Sequence, residues 1–133
     1  MRAAGDFEVK LAPLEPYNRD ADAALGRMSI DKVFQGGLQA TSKGEMLSAG
    51  SPQSGSAGYV AIERVSGTLQ GRRGSFTLQH SASMHRGTFS LSITVVPGSG
   101  TGELEGLSGT MNVIIADGRH SYEFDYECPE NVR

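Results

Sequence analysis

The chain has 133 residues, 38% of them hydrophobic and 20% charged, with a formal net charge of −3. That is the length and composition of one globular domain, here taken as residues 1–133. It excludes a disordered chain, and the acidic balance argues against a dedicated nucleic-acid binder. No apolar run approaches the roughly 18 residues a membrane span needs, the first residues hold no apolar core of a secretory signal, and the single cysteine, Cys128, fits a reducing cytoplasm.

Taken in chain order, short segments alternate apolar and polar residues with period two, and glycines fall between them. Asp6–Leu11 places Phe7, Val9 and Leu11 on one face. Arg27–Phe34 places Met28, Ile30 and Phe34 on one face, with Lys32 interrupting the row. Leu38–Leu47 is a weaker strand after Gly36-Gly37. Ala57–Ser66 sets Tyr59, Ala61, Glu63 and Val65 against Val60, Ile62 and Arg64. Phe76–Met84 sets Phe76, Leu78, His80, Ala82 and Met84 on one face, and Phe89, Leu91, Ile93 and Val95 follow in the next strand. Met111–Ile115 and Tyr122–Tyr126 complete eight predicted strands.

The connections carry further information. Asp117-Gly118 is a two-residue hairpin signal, because both central positions of a type I′ turn need positive φ. It predicts Ile115 opposite His120, Val113 opposite Tyr122 and Met111 opposite Phe124, all six on one face. Gly36-Gly37, Gly71–Gly74 and Arg86-Gly87 read as further tight turns, with Arg72 and Arg73 as solvated residues of a hairpin tip. Ala12–Ala24, Ser48–Ser56 and Pro97–Gly109 read as longer loops. The first has room for a helical turn, and the last would be a compact loop packed by Leu104 and Leu107. Sequential strands with short connections and no helix to cover a sheet predict a closed, eight-stranded antiparallel up-and-down barrel, with a two-sheet β-sandwich as the alternative.

Several segments carry a resemblance that spans about Gly5 to Tyr126. They are Gly44-Glu45-Met46-Leu47, Ser56-Ala57-Gly58-Tyr59-Val60, Gly74-Ser75-Phe76-Thr77-Leu78-Gln79-His80, Pro97-Gly98-Ser99-Gly100-Thr101-Gly102-Glu103-Leu104 and His120-Ser121-Tyr122-Glu123-Phe124-Asp125-Tyr126. In these the chain resembles a bacterial family of unknown function whose structures resemble the allene oxide cyclase barrel, a closed eight-stranded meander also found in plant dirigent-type proteins. The resemblance implies that fold. It implies no activity, and no catalytic positions of the plant cyclase transfer to this sequence.

The inward rows of a small barrel should be apolar, so their polar members are the candidate site: Lys32, Glu63, His80 and His120, with Tyr59, Tyr122 and Tyr126 as hydroxyl carriers. A turn near Gly71–Arg73 puts Glu63 opposite or diagonal to His80, within hydrogen-bonding reach. Such a pair either satisfies itself in the core or equips a lumen for ligand contact or acid–base chemistry. Lys32 pairs with Glu63, reaches solvent along its stem, or turns outward at a bulge. His120 sits at a barrel mouth, where a solvated or capping role competes with a functional one.

No metal or other cofactor is expected. His80 and His85 lie five residues apart, on opposite faces of a strand, and the glycines of Gly98–Gly106 match no phosphate-loop or dinucleotide pattern. No Gly-x-Ser-x-Gly elbow is present. Outward Val60 and Ile62, with Val33, Leu47 and Ile114, would form an apolar patch if adjacent, and a homodimer would cover it. Three functions are compatible with this pattern: a binding module holding a small, largely apolar molecule in its lumen, an isomerase or cyclase acting there, or a structural protein with a filled barrel.

Overall fold

The computed structural model describes residues 1–51 and 55–129. Eight strands run β1 (Arg2–Leu14), β2 (Leu25–Phe34), β3 (Leu38–Ser51), β4 (Ser56–Leu69), β5 (Arg72–His85), β6 (Thr88–Val95), β7 (Ser108–Ala116) and β8 (Arg119–Glu127). Each pairs antiparallel with the next, and β1 pairs with β8, so the sheet closes into an up-and-down barrel. The barrel is thus the expected one, and the sandwich is not formed. The Asp117-Gly118 turn has both residues at positive φ, and the β7–β8 register is the one the turn dictates, with Met111 opposite Phe124, Val113 opposite Tyr122 and Ile115 opposite His120.

The strands are longer than alternation alone marks. β1 continues through Pro13 to Leu14, and a 3-10 turn over Ala21–Ala23 leads into β2. The expected Ser48–Ser56 loop is largely strand, since β3 runs to Ser51 and β4 starts at Ser56; Pro52, Gln53 and Ser54 lie outside the described residues. The β4–β5 turn also differs from expectation. Its central residues are Gln70 and Gly71, both at positive φ, and Leu69 pairs with Arg72. Arg72 and Arg73 therefore belong to β5 rather than to a hairpin tip, and Arg72 donates to the carbonyl of Cys128 at 3.2 Å.

Two ends of the barrel differ in content. At the end formed by the C-terminal parts of β2, β4, β6 and β8, the inward rows carry Phe34, Val65, Leu69, Val95, Phe124 and Tyr126, all buried, against Leu38, Phe76 and Leu78. Phe76 and Phe124 stack at 5.7 Å between ring centres. The segment 96–107 folds over this end through a 3-10 turn at Gly102–Leu104, and Leu104 and Leu107 enter the core. Ser99 Oγ donates to the Val96 carbonyl and accepts the Thr77 N–H, which ties the segment to β5. The glycine-rich stretch is thus a plug, as its two leucines suggest. At the other end small inward residues, Ala61 and Ala82, stand beside Val9, Leu91 and Val113, which are only partly buried, and a cavity remains.

β6 and β7 are joined by a single residue pair in register, Thr94 with Thr110. Their inward residues away from that pair are left uncovered: Phe89 is 55% exposed and Ile115 68%. Phe89 therefore does not fill the interior but forms part of the open rim.

Candidate functional site

The site begins with a strand that carries almost no side chains where others carry charge. β3 contributes Ser42 and Gly44 to the inner surface, with Lys32 paired to Ser42 from β2 and Glu63 paired to Gly44 from β4. A Cβ at Gly44 would lie 2.1 Å from the Ile62 carbonyl oxygen and 2.6 Å from the Glu63 Cα, so only glycine permits this close approach. Lys32 and Glu63 consequently meet across β3. Lys32 Nζ lies 3.2 Å from Glu63 Oε1 and 3.1 Å from Oε2, and Ser42 Oγ donates to Oε2 at 3.4 Å. The ammonium also sits 5.1 Å from the centre of the Phe7 ring and 5.8 Å from that of Phe34, within cation–π range.

His80 completes the cluster from β5. It pairs with Ala61 and is therefore diagonal to Glu63 on the same face, as the strand alternation requires. Its Nε2 lies 3.4 Å from Glu63 Oε1, without the alignment of a hydrogen bond and with no other partner among the described residues. All three groups are buried: Glu63 is 0% exposed, His80 6% and Lys32 8%. Burial pushes the Glu63 carboxyl up, but the opposing pulls of His80 and Lys32 more than reverse it, so Glu63 titrates below the ordinary carboxylate value and is ionised at neutral pH.

This cluster forms part of the wall of a cavity of about 240 Å³ in the unfilled half of the barrel. The rest of the wall is chiefly apolar, with Val9, Ile30, Met46, Ala61, Ile93 and Val113, and Tyr59, Phe89 and His120 toward the rim. A second apolar recess of about 260 Å³ lies over the long ends of β3, β4 and β5 and shares Met46, Tyr59 and Phe89 with the first. Burial, helped by the Glu63 charge, pushes the Tyr59 hydroxyl above its usual pKa, so it keeps its proton and can act as a donor.

Five of these candidate residues gather at this one cavity. Lys32, Tyr59, His80 and His120 line it directly, and Glu63 joins through its contacts with Lys32 and His80. His120 is half-buried at the rim with its ring 5.3 Å from that of Phe7. Tyr126 is buried in the packed half, and Tyr122 is not part of the cavity either. It lies fully buried in the packed half, where its hydroxyl accepts the Leu38 N–H at 2.9 Å and donates to the Gln35 carbonyl at 2.8 Å, so it fastens the β2–β3 turn. Ser42, Gly44 and Phe7 are the participants that residue type alone does not single out. The signal for two of them is the pair of small residues on β3's inner row, between the charged rows of β2 and β4.

Among the described residues, no group of three or more His, Cys, Asp or Glu is placed to hold a metal ion, and no helix is long and apolar enough to cross a membrane. On the outer surface Leu47 pairs directly with Val60, and Ile62 follows Val60 on the same face, so these three exposed residues are contiguous. Val33 and Ile114 are also exposed but lie elsewhere, on β2 and β7.

Fold and site together define a half-filled, closed eight-stranded barrel with a buried charge cluster in the wall of its open chamber. The chain belongs to the family described as protein of unknown function (DUF3224), whose model matches residues 3–126. It is similar to a protein of unknown function from Shewanella oneidensis MR-1, a member of the same family with a solved crystal structure. The two share 51% identity over 97% of each chain, with a TM-score of 0.91. Among curated proteins, none matches.

Proposed function

We propose that this protein binds a small, largely apolar molecule in the unfilled half of its barrel. The observation that carries this reading is the contrast between the two halves: one is packed with aromatic and aliphatic side chains, while the other keeps a cavity of about 240 Å³ with apolar walls and a few buried polar groups. That is the composition of a ligand pocket, although its volume lies somewhat below the roughly 300–1,000 Å³ range for drug-sized ligands, so the occupant is a smaller molecule. A structural barrel would gain stability by filling this space.

Toluene is a suitable first probe, because an apolar cavity of about 150 Å³ already admits benzene. In methyl-resolved NMR, toluene is expected to shift the resonances of Met46, Ile93 and Val113, and Ala61→Leu, which fills the chamber, is expected to abolish those shifts. An absence of saturable shifts in the wild-type protein would refute the reading. Native mass spectrometry of protein purified from cells would also retain a co-purified apolar compound if the natural ligand binds tightly.

The contiguous Leu47–Val60–Ile62 surface supports a second, separate element of the proposal, a homodimer that covers it. Val60→Glu is expected to convert a dimer to a monomer in light scattering. A monomeric wild-type protein at micromolar concentration would sink this element alone. The unpaired Cys128 supports a cytoplasmic location.

A further inference from the structure

We propose that His80 is the polar anchor of the chamber, accepting through Nδ1 a hydrogen bond from an uncharged ligand that carries one O–H group on an apolar body, of the phenol or small-alcohol class. The inference rests on the binding function proposed above and specifies its ligand chemistry.

Charge balance comes first. Lys32 Nζ spans both oxygens of Glu63 at 3.1 and 3.2 Å, so the two charges in the chamber wall already neutralise one another. A charged ligand would add an unpaired charge to an apolar cavity, at a substantial desolvation cost. The chamber therefore favours a neutral occupant.

The histidine then decides the polar group. Of the two neutral tautomers, the one with its hydrogen on Nε2 avoids setting a lone pair 3.4 Å from a carboxylate oxygen, although the contact lacks the alignment of a hydrogen bond. This assigns the Nε2–H tautomer in the neutral ring and leaves Nδ1 as the acceptor. Nε2 is sealed from solvent, whereas the ring as a whole forms part of the cavity wall. The chamber thus presents an acceptor backed by a carboxylate, itself held by Lys32 and Ser42. An ether or ketone cannot satisfy an acceptor, but a hydroxyl can. Tyr59, which retains its proton, is placed in the same wall to donate to the hydroxyl oxygen.

Three aromatic probes test the inference in the wild-type protein: phenol, toluene without a polar group, and anisole with an acceptor but no donor. Phenol is expected to bind about tenfold more tightly than anisole, the effect of one net hydrogen bond to Nδ1, and more tightly than toluene by at least that factor. Long-range ¹H–¹⁵N spectra are expected to show the His80 Nε2–H tautomer in the free protein and a shift of Nδ1, rather than Nε2, on adding phenol. Equal affinity for phenol and toluene, anisole binding as well as phenol, or an Nδ1–H tautomer would each overturn the anchor while leaving apolar binding intact. If none of the three probes enters, the binding function falls, and the anchor with it.

Discussion

At the scale of single residues, the chamber rests on a buried ion pair that is needed once present. Removing one partner leaves a lone charge in an apolar core, so Lys32→Met is expected to destabilise the fold by about 3–5 kcal/mol. The double variant Lys32→Met, Glu63→Leu is expected to recover most of that loss in denaturant titrations, because replacing a buried pair with apolar side chains is close to neutral. The pair also sets an acid sensitivity. Glu63 has a folded-state pKa below its ordinary value of 4.5, so its stabilisation is present above that value and is lost as pH falls through the folded pKa. Thermal scans from pH 6 downward are expected to show a decline below about pH 4.5 that is reduced in Glu63→Gln. A decline of equal depth in both proteins would show that other carboxylates control it.

The proximity of Glu63 and His80 is legible in the amino-acid sequence, because period-two alternation places both on one face and a tight hairpin brings them close. The pairing of Lys32 is less so, since the sequence leaves three readings open for that side chain. It is decided one strand away by Ser42 and Gly44, whose smallness has meaning only once β3 is known to lie between β2 and β4. Tyr122 shows the converse. Alternation places it correctly on the inner row, but its hydroxyl answers to the backbone of the β2–β3 turn, and a contact so distant in sequence leaves no local pattern.

At the scale of elements, the packed and open halves predict opposite responses to the same kind of substitution. Phe76 is 1% exposed and stacked on Phe124, and Phe76→Ala is expected to cost about 3–5 kcal/mol. Phe89 sits on the rim, and Phe89→Ala is expected to cost under about 1 kcal/mol while altering probe binding. Comparable losses in the two variants would mean that the open half is packed in solution. The strand count and the β7–β8 register follow from alternation and from Asp117-Gly118. Strand lengths do not, because glycine, serine and proline at the ends of β1, β3 and β4 read locally as loop. The Gln70-Gly71 turn escapes for a similar reason: glutamine at positive φ is uncommon, and the neighbouring arginines suggest an exposed tip.

At the scale of the whole molecule, the division into a plugged end and an open chamber belongs to no single strand. It emerges from eight inner rows meeting around an axis, together with a loop that delivers two leucines from outside the sheet. Alternation assigns a side chain to the interior but not to an end of it, which is why a filled and a hollow barrel share one sequence pattern. Closure is equally collective. Amide hydrogen exchange is expected to be fast along the facing edges of β6 before Thr94 and β7 after Thr110, and slow in β4, which is paired on both sides throughout. Uniform protection around the ring would contradict the open seam.

The seam has a consequence for how this protein behaves at high concentration. From Met111 to Ala116 the chain reads Met-Asn-Val-Ile-Ile-Ala, a six-residue window with no charge, no proline and no glycine, and Ile114 and Ile115 are both exposed. High β-propensity beside an incompletely paired strand edge is the signature of a segment that templates cross-β stacking. Ile115→Lys places a charge in that window, at a position where little packing is lost, and is expected to lengthen the lag before fibrils form on heating, followed by dye fluorescence. The opening that exposes the chamber thus also leaves a fibril-prone stretch at an incompletely paired edge.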